Sequence, residues 1–481
     1  MNEETVREWF AGSGDVRISA NCMGEGQESQ TVVMAYCEGM VDRKLLNEIV
    51  FPRLDSVFRD IGEDRTLASL IESRMEAQRL DGGATREAVA LKVYSGELLL
   101  SFPNAELQYS VSIANTPQRK PEESSTEISI KGPRDAFTED AVINVALVRK
   151  RLKSASMRVE KFTLGSRSNT SVFLLYIHDI AEPNALRNVR ERLKTFDTDG
   201  VVGIAQLEEG LTGAPYSLFP LLDYIGRPDY AAASLLAGRF AVIADGTPMA
   251  LIGPCNLTSL LISPEDAHLP FYFVSMERVL RIVGLLLALF LPGFWVSVSA
   301  FNLDQIPFPL LATITTARIG LPISGPLDLF LMLAMFEVFR EAGVRLPKAV
   351  GQTVAVVGGL IIGDAAIQAG ITSPTTLVVT AVSTVATFTL INQTLVGSVS
   401  VLRIGLLLMA STFGMFGLIA GSLGLLLYLA SLKSFGVPYL APIAPFHRKD
   451  LWQSLLAKPW KNRARRPTFL HPTDPKRGGK R

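Results

Sequence analysis

The chain has 481 residues, of which 48% are hydrophobic, and its 47 basic and 46 acidic side chains give a net charge of +1. This length suffices for two or three domains, but the near-neutral average conceals a polar head, an apolar middle and a basic tail. The three widely spaced cysteines, Cys22, Cys37 and Cys255, fit buried thiols in a reducing compartment better than a disulfide framework or a metal cage.

Strand-like and helix-like segments alternate in the first 114 residues. Strands are expected at VRISANCM from Val16 and TVVMAYCEGMV from Thr31, then at ELLLSF and LQYSVSIA, and Asp42 can cap a helix between them. The pattern predicts an α/β subdomain over residues 1–114, followed by a polar linker with two prolines over 115–127.

A second α/β subdomain is expected over residues 128–275. Thr138 can cap a helix, MRVEKFTLG and SVFLLYIHDI read as strands, and Asp245-Gly246 is typical of a type I′ turn between two apolar strands. The first residues, MNEETVREWF, lack the basic and apolar regions of a secretory signal. This two-part α/β region is therefore expected to be cytoplasmic.

The apolar middle predicts a polytopic α-helical membrane domain over residues 276–435. Only ten charged side chains occur between Ile282 and Leu432, and the uncharged runs 365–402 and 404–432 exceed the roughly 20 residues that cross a bilayer. FYFVSMERVLRIVGLL, beginning at Phe271, is typical of a segment that enters the membrane through its interface. The expected spans are approximately 279–301, 322–339, 350–369, 377–396 and 404–432.

The basic tail, residues 436–481, constrains the topology. Residues 448–481 contain eleven Lys or Arg and two acidic side chains, so they are expected on the cytoplasmic side, near anionic lipids rather than nucleic acid. Five spans would place head and tail on opposite sides. An even number is favoured, either because 404–432 folds as a helical hairpin or because one hydroxyl-rich segment only dips into the membrane.

Polar side chains within the apolar block are candidates for an ion path. Asp364 lies in the middle of an expected span, where an ionised carboxylate is costly without water or a partner, and Gln368 lies one helical turn further on. A hydroxyl row with helical spacing follows, made of Thr376, Thr380, Ser383, Thr387 and Thr394. The row can line a water path, or it can hydrogen-bond neighbouring helices as packing contacts.

A charged cluster, Glu337, Arg340 and Glu341, marks the end of the second expected span. It is interpreted as an interfacial anchor or as part of a gate. The four histidines have no metal-ligand spacing, and no nucleophile elbow, Walker loop or HExxH motif occurs. Neither an enzyme nor a cofactor nor a metal site is expected.

Several long stretches resemble the A subunit of bacterial spore germinant receptors of the GerA type. They are FTEDAVINVALVRKRL, DGVVGIAQLEEGL, GRFAVIADGTPMALIGP, LPGFWVSVSAFNLDQIP, FEVFREAGVRLPKAVGQTVAVVGGLIIGDAAIQAGITSP and LKSFGVPYLAPIAP, which together cover most of residues 137–445. The resemblance implies a multi-pass subunit of the spore inner membrane that works with a second integral-membrane subunit and a lipoprotein. It further implies a homo-oligomer that converts the sensing of a small nutrient into ion release.

Two other functions are compatible with the sequence. One is a secondary transporter or permease of a small nutrient, although the chain shows no inverted repeat and few spans for such a fold. The other is a non-conducting scaffold for a partner that binds the nutrient. The expected function is a nutrient-gated cation channel.

Overall fold

A computed structural model of the chain describes residues 1–23, 30–60, 66–80, 85–115, 131–345 and 363–478. The first unit is a five-stranded antiparallel sheet with helices on both faces, and its strand order is β1-β2-β4-β5-β3. The strands are β1 Val16–Met23, β2 Gln30–Cys37, β3 Gln78–Arg79, β4 Glu97–Phe102 and β5 Leu107–Ser112. The helices are α1 Glu3–Trp9, α2 Arg43–Leu45, which continues through a π-turn at Leu46–Val50 into α3 Phe51–Arg59, then α4 Leu67–Met75 and α5 Arg86–Val93.

Alternate side chains of β2 and β4 are buried on opposite faces of this sheet. Met34 and Leu100 pack with residues of α3 and α4, whereas Val33 and Leu99 pack with residues of α1 and α5. This two-residue period explains why the central strands have almost continuous hydrophobic sequences.

The second unit repeats the arrangement with the order β6-β7-β9-β10-β8. Its strands are β6 Met157–Leu164, β7 Thr170–Ile177, β8 Asp223–Ile225, β9 Phe240–Ala244 and β10 Ala250–Gly253. Its helices are α6 Ala141–Arg151, α7 Pro183–Lys194, α8 Ile204–Thr212, α9 Pro228–Leu236 and α10 Leu257–Leu260. One face of the sheet packs with α6 and α9, and the other packs with α7 and α8.

A buried ion pair joins the two units. The Arg149 guanidinium on α6 donates two 2.9 Å hydrogen bonds to the Asp15 carboxylate and stacks over the Tyr94 ring. It also donates to the carbonyls of Ser154 and Met157, so several of its donors are satisfied although the side chain is fully buried. Such bidentate geometry fixes one orientation between the units.

In the ranges that the structure describes, five apolar helices follow the second sheet. They are α11 Phe271–Val296, which continues through a π-turn at Ser297–Phe301, then α12 Phe308–Arg318, α13 Gly325–Arg345, α14 Pro374–Thr387 and α15 Gln393–Ser431. Residues 363–368 are also helical. Among the described residues, two helical stretches are long and apolar enough to cross a membrane, Phe271–Phe301 and Gln393–Ser431.

The 39-residue helix α15 folds back on itself at Gly414. This glycine has φ +60° and ψ −140°, a conformation that interrupts the helix. A Cβ added to Gly421 would lie 2.8 Å from Leu406 Cδ2, although 15 residues of straight helix would separate the two by about 22 Å. A Cβ on Gly417 would likewise collide with the Met409 carbonyl. Residues 404–432 therefore contain the turn of a helical hairpin, one of the two expected alternatives.

The tail packs against the second unit. After the short ribbon of β11 Lys433–Ser434 and β12 Val437–Pro438 comes helix α16 Arg448–Leu455. The Arg466 guanidinium donates to the Leu236 carbonyl at 2.9 Å, and the Thr473 amide donates to the Ile180 carbonyl at 2.9 Å. Head and tail are thus in direct contact.

The predicted fold class, a two-part α/β region followed by an α-helical domain, is confirmed, and several local predictions need correction. The Asp42 cap is present, but Asp140 rather than Thr138 caps α6. The hairpin at Asp245-Gly246 forms with a loop longer than two residues, because β10 begins only at Ala250. Most of the expected span 350–369 and of the linker 115–127 lies outside the described residues, and the domain boundaries remain a prediction.

Candidate functional site: polar side chains among the apolar helices

Helix α14 buries the expected row of hydroxyls on one face. Ser373 caps the helix by accepting a hydrogen bond from the Thr376 amide, and Pro374 follows at its first turn. The row consists of Thr376, Thr380, Ser383 and Thr387, each at most 3% exposed. Their spacing of four, three and four residues places them on one side of the helix.

Thr394 does not continue this row. The predicted span 377–396 is interrupted, because α14 ends at Thr387 and α15 begins at Gln393, where Asn392 caps the new helix. Thr394 is exposed on this second helix. Residues 388–392 between the two helices are mostly apolar, so the sequence does not reveal that the helix is interrupted there.

The buried hydroxyls make two kinds of hydrogen bond. Thr380 and Thr387 donate to the carbonyls one turn earlier in their own helix, at 2.8 and 3.0 Å. Ser383 donates instead to the Ala288 carbonyl of α11 at 3.1 Å. The row therefore contributes to contact between helices, and its role as an ion path remains a prediction.

Arg403 connects this row to the charged cluster at the end of α13. Its guanidinium, 3% exposed, donates to Ser383 Oγ at 3.2 Å, to Thr387 Oγ1 at 3.4 Å and to Glu337 Oε2 at 3.2 Å. Glu337 also accepts a hydrogen bond from Arg340. We call Glu337, Arg340, Ser383, Thr387 and Arg403 the Arg403 cluster; it joins α13, α14 and α15.

Arg403 is not among the side chains that the sequence predicts for the ion path or the gate. The signal was nevertheless present, because Arg403 is the sole charged residue between Ala365 and Leu432. An isolated ionisable side chain in such a run marks a functional or structural site in a membrane protein. Glu341, the third residue of the predicted charged cluster, is exposed on α13.

Asp364 and Gln368 form a second polar feature. Gln368 Nε2 donates to Asp364 Oδ2 at 2.7 Å, so the two share one helix face as expected. Both are exposed. A Cβ added to Gly363 would lie 3.2 Å from Leu377, which places this helical segment beside the first turns of α14. Within the described residues, no hydrogen bond or ion pair links Asp364 to the Arg403 cluster.

The apolar helices are anchored to the second sheet at both ends of α15. Asn392 Nδ2 donates to Asp223 Oδ1 of β8 at 2.7 Å, and Ser434 Oγ donates to the Leu221 carbonyl at 2.7 Å. The Tyr230 hydroxyl also donates to Asp223, and burial together with that carboxylate raises the pKa of Tyr230, so the phenol remains a donor. These contacts were not predicted, because they depend on tertiary structure.

Comparison with known proteins identifies the family to which these features belong. The model of the Bacillus/Clostridium GerA spore germination protein family matches residues 4–469. The chain belongs to the GerA family. It is 40% identical over 479 residues to spore germination protein XA of Bacillus anthracis, covering 98% of this chain and 96% of that protein.

Other GerA relatives have similar coverage. Spore germination protein KA of Bacillus subtilis is 33% identical, with 99% of this chain and 87% of that protein aligned. The crystal structure of the N-terminal domain of the A subunit of the Bacillus megaterium spore germinant receptor GerK3 covers 52% of this chain and 92% of its own, with 27% identity and a TM-score of 0.40. The family model and the two spore germination proteins confirm the predicted resemblance to the GerA type.

Proposed function

We propose that this GerA-family chain is a multi-pass subunit of a nutrient germinant receptor, and that its copies assemble around a gated cation path. A second integral-membrane subunit and a lipoprotein are its proposed partners, and the spore inner membrane is its proposed location. Ion conduction, assembly of several copies and membrane topology are the parts of this proposal that go beyond membership of the family.

The surface of the apolar helices supports membrane insertion. In the most apolar window of each long helical stretch, 39% of Phe271–Phe301 and 28% of Gln393–Ser431 is buried. Phe294, Phe413 and Phe416 are 48%, 65% and 74% exposed. A core helix of a soluble protein would be mostly buried, so this surface requires cover from lipid or from other protein.

The ends of the hairpin support an even number of crossings. Both ends of α15 contact the head, through Asp223 and Leu221, whereas a Cβ on Gly414 at its turn would lie 2.8 Å from Phe301 at the far end of the α11 stretch. The hairpin thus runs away from the head and returns. Because the tail is rich in Lys and Arg, the side shared by head and tail is proposed to be cytoplasmic.

The exposure of Asp364 is the main observation that supports an ion path. A carboxylate facing lipid costs several kcal/mol, and the Gln368 amide satisfies only one of its acceptor sites. Lipid is therefore an unfavourable neighbour for this face of the helix. Water in a path shared between copies of the chain would solvate the carboxylate and allow it to attract cations.

The Arg403 cluster is the proposed gate. It holds three helices through one guanidinium, so a displacement of α13 relative to α14 must break the Arg403–Glu337 contact or the contacts with Ser383 and Thr387. A contact that must break before one helix can move past another is suited to switching. The buried hydroxyls Thr376 and Thr380 extend the same polar face.

Planar-bilayer recording of the purified full chain tests the proposal. We expect cation-selective current, and we expect Asp364→Asn, which keeps the shape and removes the charge, to reduce cation selectivity without loss of assembly. Asp304→Asn is the matched control, because Asp304 is an exposed carboxylate in the turn Leu303–Gln305. Uptake of nutrients without current would favour a transporter. The absence of both uptake and current would favour a scaffold.

A further inference from the structure

A cavity of about 200 Å³ lies where the second unit, the start of α11 and the tail meet. Its walls include parts of α9, α10, α11 and α16 and the segment that follows α16. Phe469, Leu470 and Ile262 provide apolar wall. α11 begins with the exposed aromatic residues Phe271 and Tyr272, so the cavity lies near the proposed membrane surface.

Five basic side chains line this cavity, and among the described residues no carboxylate does. They are Arg239, Arg278, Lys458, Arg463 and Arg477. Asp266 accepts a 2.8 Å hydrogen bond from Arg278 Nε, but the same carboxylate is shared with Arg281. This carboxylate also attracts Arg463, and the five basic side chains that line the cavity outnumber it. The cavity is therefore electropositive.

Two of these arginines have donors that the described chain does not satisfy. Arg239 is 8% exposed and donates through Nη2 to Asn256, whereas its buried Nε has no hydrogen-bond partner in the described ranges. The buried Nε of Arg477 likewise has none there. A buried donor without an acceptor is costly, and an anion in the cavity would remove that cost.

The electrostatics of the tail point in the same direction. Burial lowers the pKa of Arg463, the neighbouring Arg278 lowers it further, and Asp266 partly offsets both effects. Burial also lowers the pKa of Arg477, with Arg466 and Arg463 adding to the effect. Cations that repel one another at close range are stabilised by a shared anion.

We propose that this cavity is a binding site for a phosphate group, held by Arg239, Arg463 and Arg477 at the junction of head, tail and α11. Guanidinium groups match the oxygens of a phosphate in charge and in geometry. Either the headgroup of an anionic phospholipid or a free phosphate supplies this chemistry. An occupied site would tie the tail to α11 where the chain enters the membrane.

Thermal unfolding of the full chain in a non-ionic detergent tests the site, with inorganic phosphate and phosphatidylglycerol as the two probes. Each is compared with a chloride control of equal ionic strength, and lipid retention is measured by native mass spectrometry. We expect at least one probe to raise the unfolding midpoint of the wild type. A shift with phosphate indicates a free anion, and a shift with phosphatidylglycerol alone indicates a headgroup.

Arg477→Gln should weaken binding of the effective probe about tenfold, because it removes one charge-assisted donor. Arg465→Gln is the matched control, since Arg465 is exposed in the same segment and does not line the cavity. No shift with either probe, or an equal loss of binding in both variants, would overturn the site.

Discussion

Arg403 is the residue at which three apolar helices meet, so its side chain should contribute strongly to the stability of the helical region. Arg403→Met removes the guanidinium and leaves the hydroxyl row and Glu337 with fewer partners. We expect a loss of about 2 kcal/mol in the free energy of unfolding, because hydrogen bonds from a charged donor are lost while Glu337 keeps its contact with Arg340. Thermal unfolding in detergent measures the loss.

Arg340→Met is the control for this prediction, because Arg340 contacts the same Glu337 from its own helix. The Arg340–Glu337 contact is a more exposed pair at i and i+3, and its loss should cost less than about 1 kcal/mol. Equal costs for the two variants would show that the buried position of Arg403 has no special role.

Glu265 in the head should make stability depend on pH in the acid range. Burial would raise the pKa of Glu265, but hydrogen bonds from Arg227 and from the Lys131 and Gly132 amides outweigh it and lower the pKa to about 2. An unfolded glutamate has a pKa near 4.3. The stabilisation is therefore present above about pH 4.3 and is lost as the pH falls through about 2.

Glu265→Gln should accordingly destabilise the protein at neutral pH, and the difference from wild type should shrink as the pH falls from about 5 towards 2. Chemical unfolding of the full chain in detergent at several pH values measures this difference. Glu139→Gln, at an exposed glutamate of the same unit, is the control. A difference that is constant over the acid range would contradict the assignment.

At the residue scale, helical spacing in the sequence predicted which side chains are neighbours on one helix. It did not predict which side chains on different helices are in contact. The Asp364–Gln368 pair and the hydroxyl row follow from the 3.6-residue period. The partners of Arg403 lie on helices 16 to 66 residues away in sequence, and no local pattern encodes them. The function of these side chains could be proposed from the sequence, but their grouping could not.

The hairpin of α15 depends on the backbone of Gly414. Its φ of +60° with ψ of −140° is accessible essentially to glycine alone, and a Cβ there would also lie 2.8 Å from the Phe301 side chain. Gly414→Ala should therefore cost about 1–3 kcal/mol in stability. Thermal unfolding in detergent and the yield of assembled protein both report this loss.

Gly424→Ala is the matched control on the returning arm of the hairpin, because no atom lies within 4 Å of a Cβ at that position. Alanine has a higher helix propensity than glycine, so this variant should be neutral or slightly stabilised. If Gly414→Ala behaved in the same way, the turn at Gly414 would not be a required element of the helical region.

At the element scale, hydrophobic patterns predicted most strands and helices. The central strands are recognisable as near-continuous apolar runs because each sheet is buried on both faces. β1 and β4 coincide with the predicted segments VRISANCM and ELLLSF. Breaks within apolar helices were less predictable. The interruption before Gln393 and the turn at Gly414 occur in segments whose composition alone fits an uninterrupted span.

At the scale of the whole molecule, the contacts between tail and head predict a specific topology. In a Cys22→Ser background, single cysteines at Val202 in the head and Lys461 in the tail should resist an impermeant maleimide in intact cells. A cysteine at Asp304, at the far end of the α11 stretch, should react. All three positions are exposed, and Cys37 and Cys255 are buried. Labelling of Val202→Cys or Lys461→Cys from outside would contradict a cytoplasmic head and tail.

The assembled state of the full chain in lipid nanodiscs, resolved by electron cryo-microscopy, tests the account most directly. The account predicts a ring of identical copies in which the helix face that carries Asp364 and Gln368 borders a central opening. Helix α15 should lie between that opening and the head. A monomer, or an assembly in which Asp364 faces lipid or a closed contact between copies, would contradict the ion path.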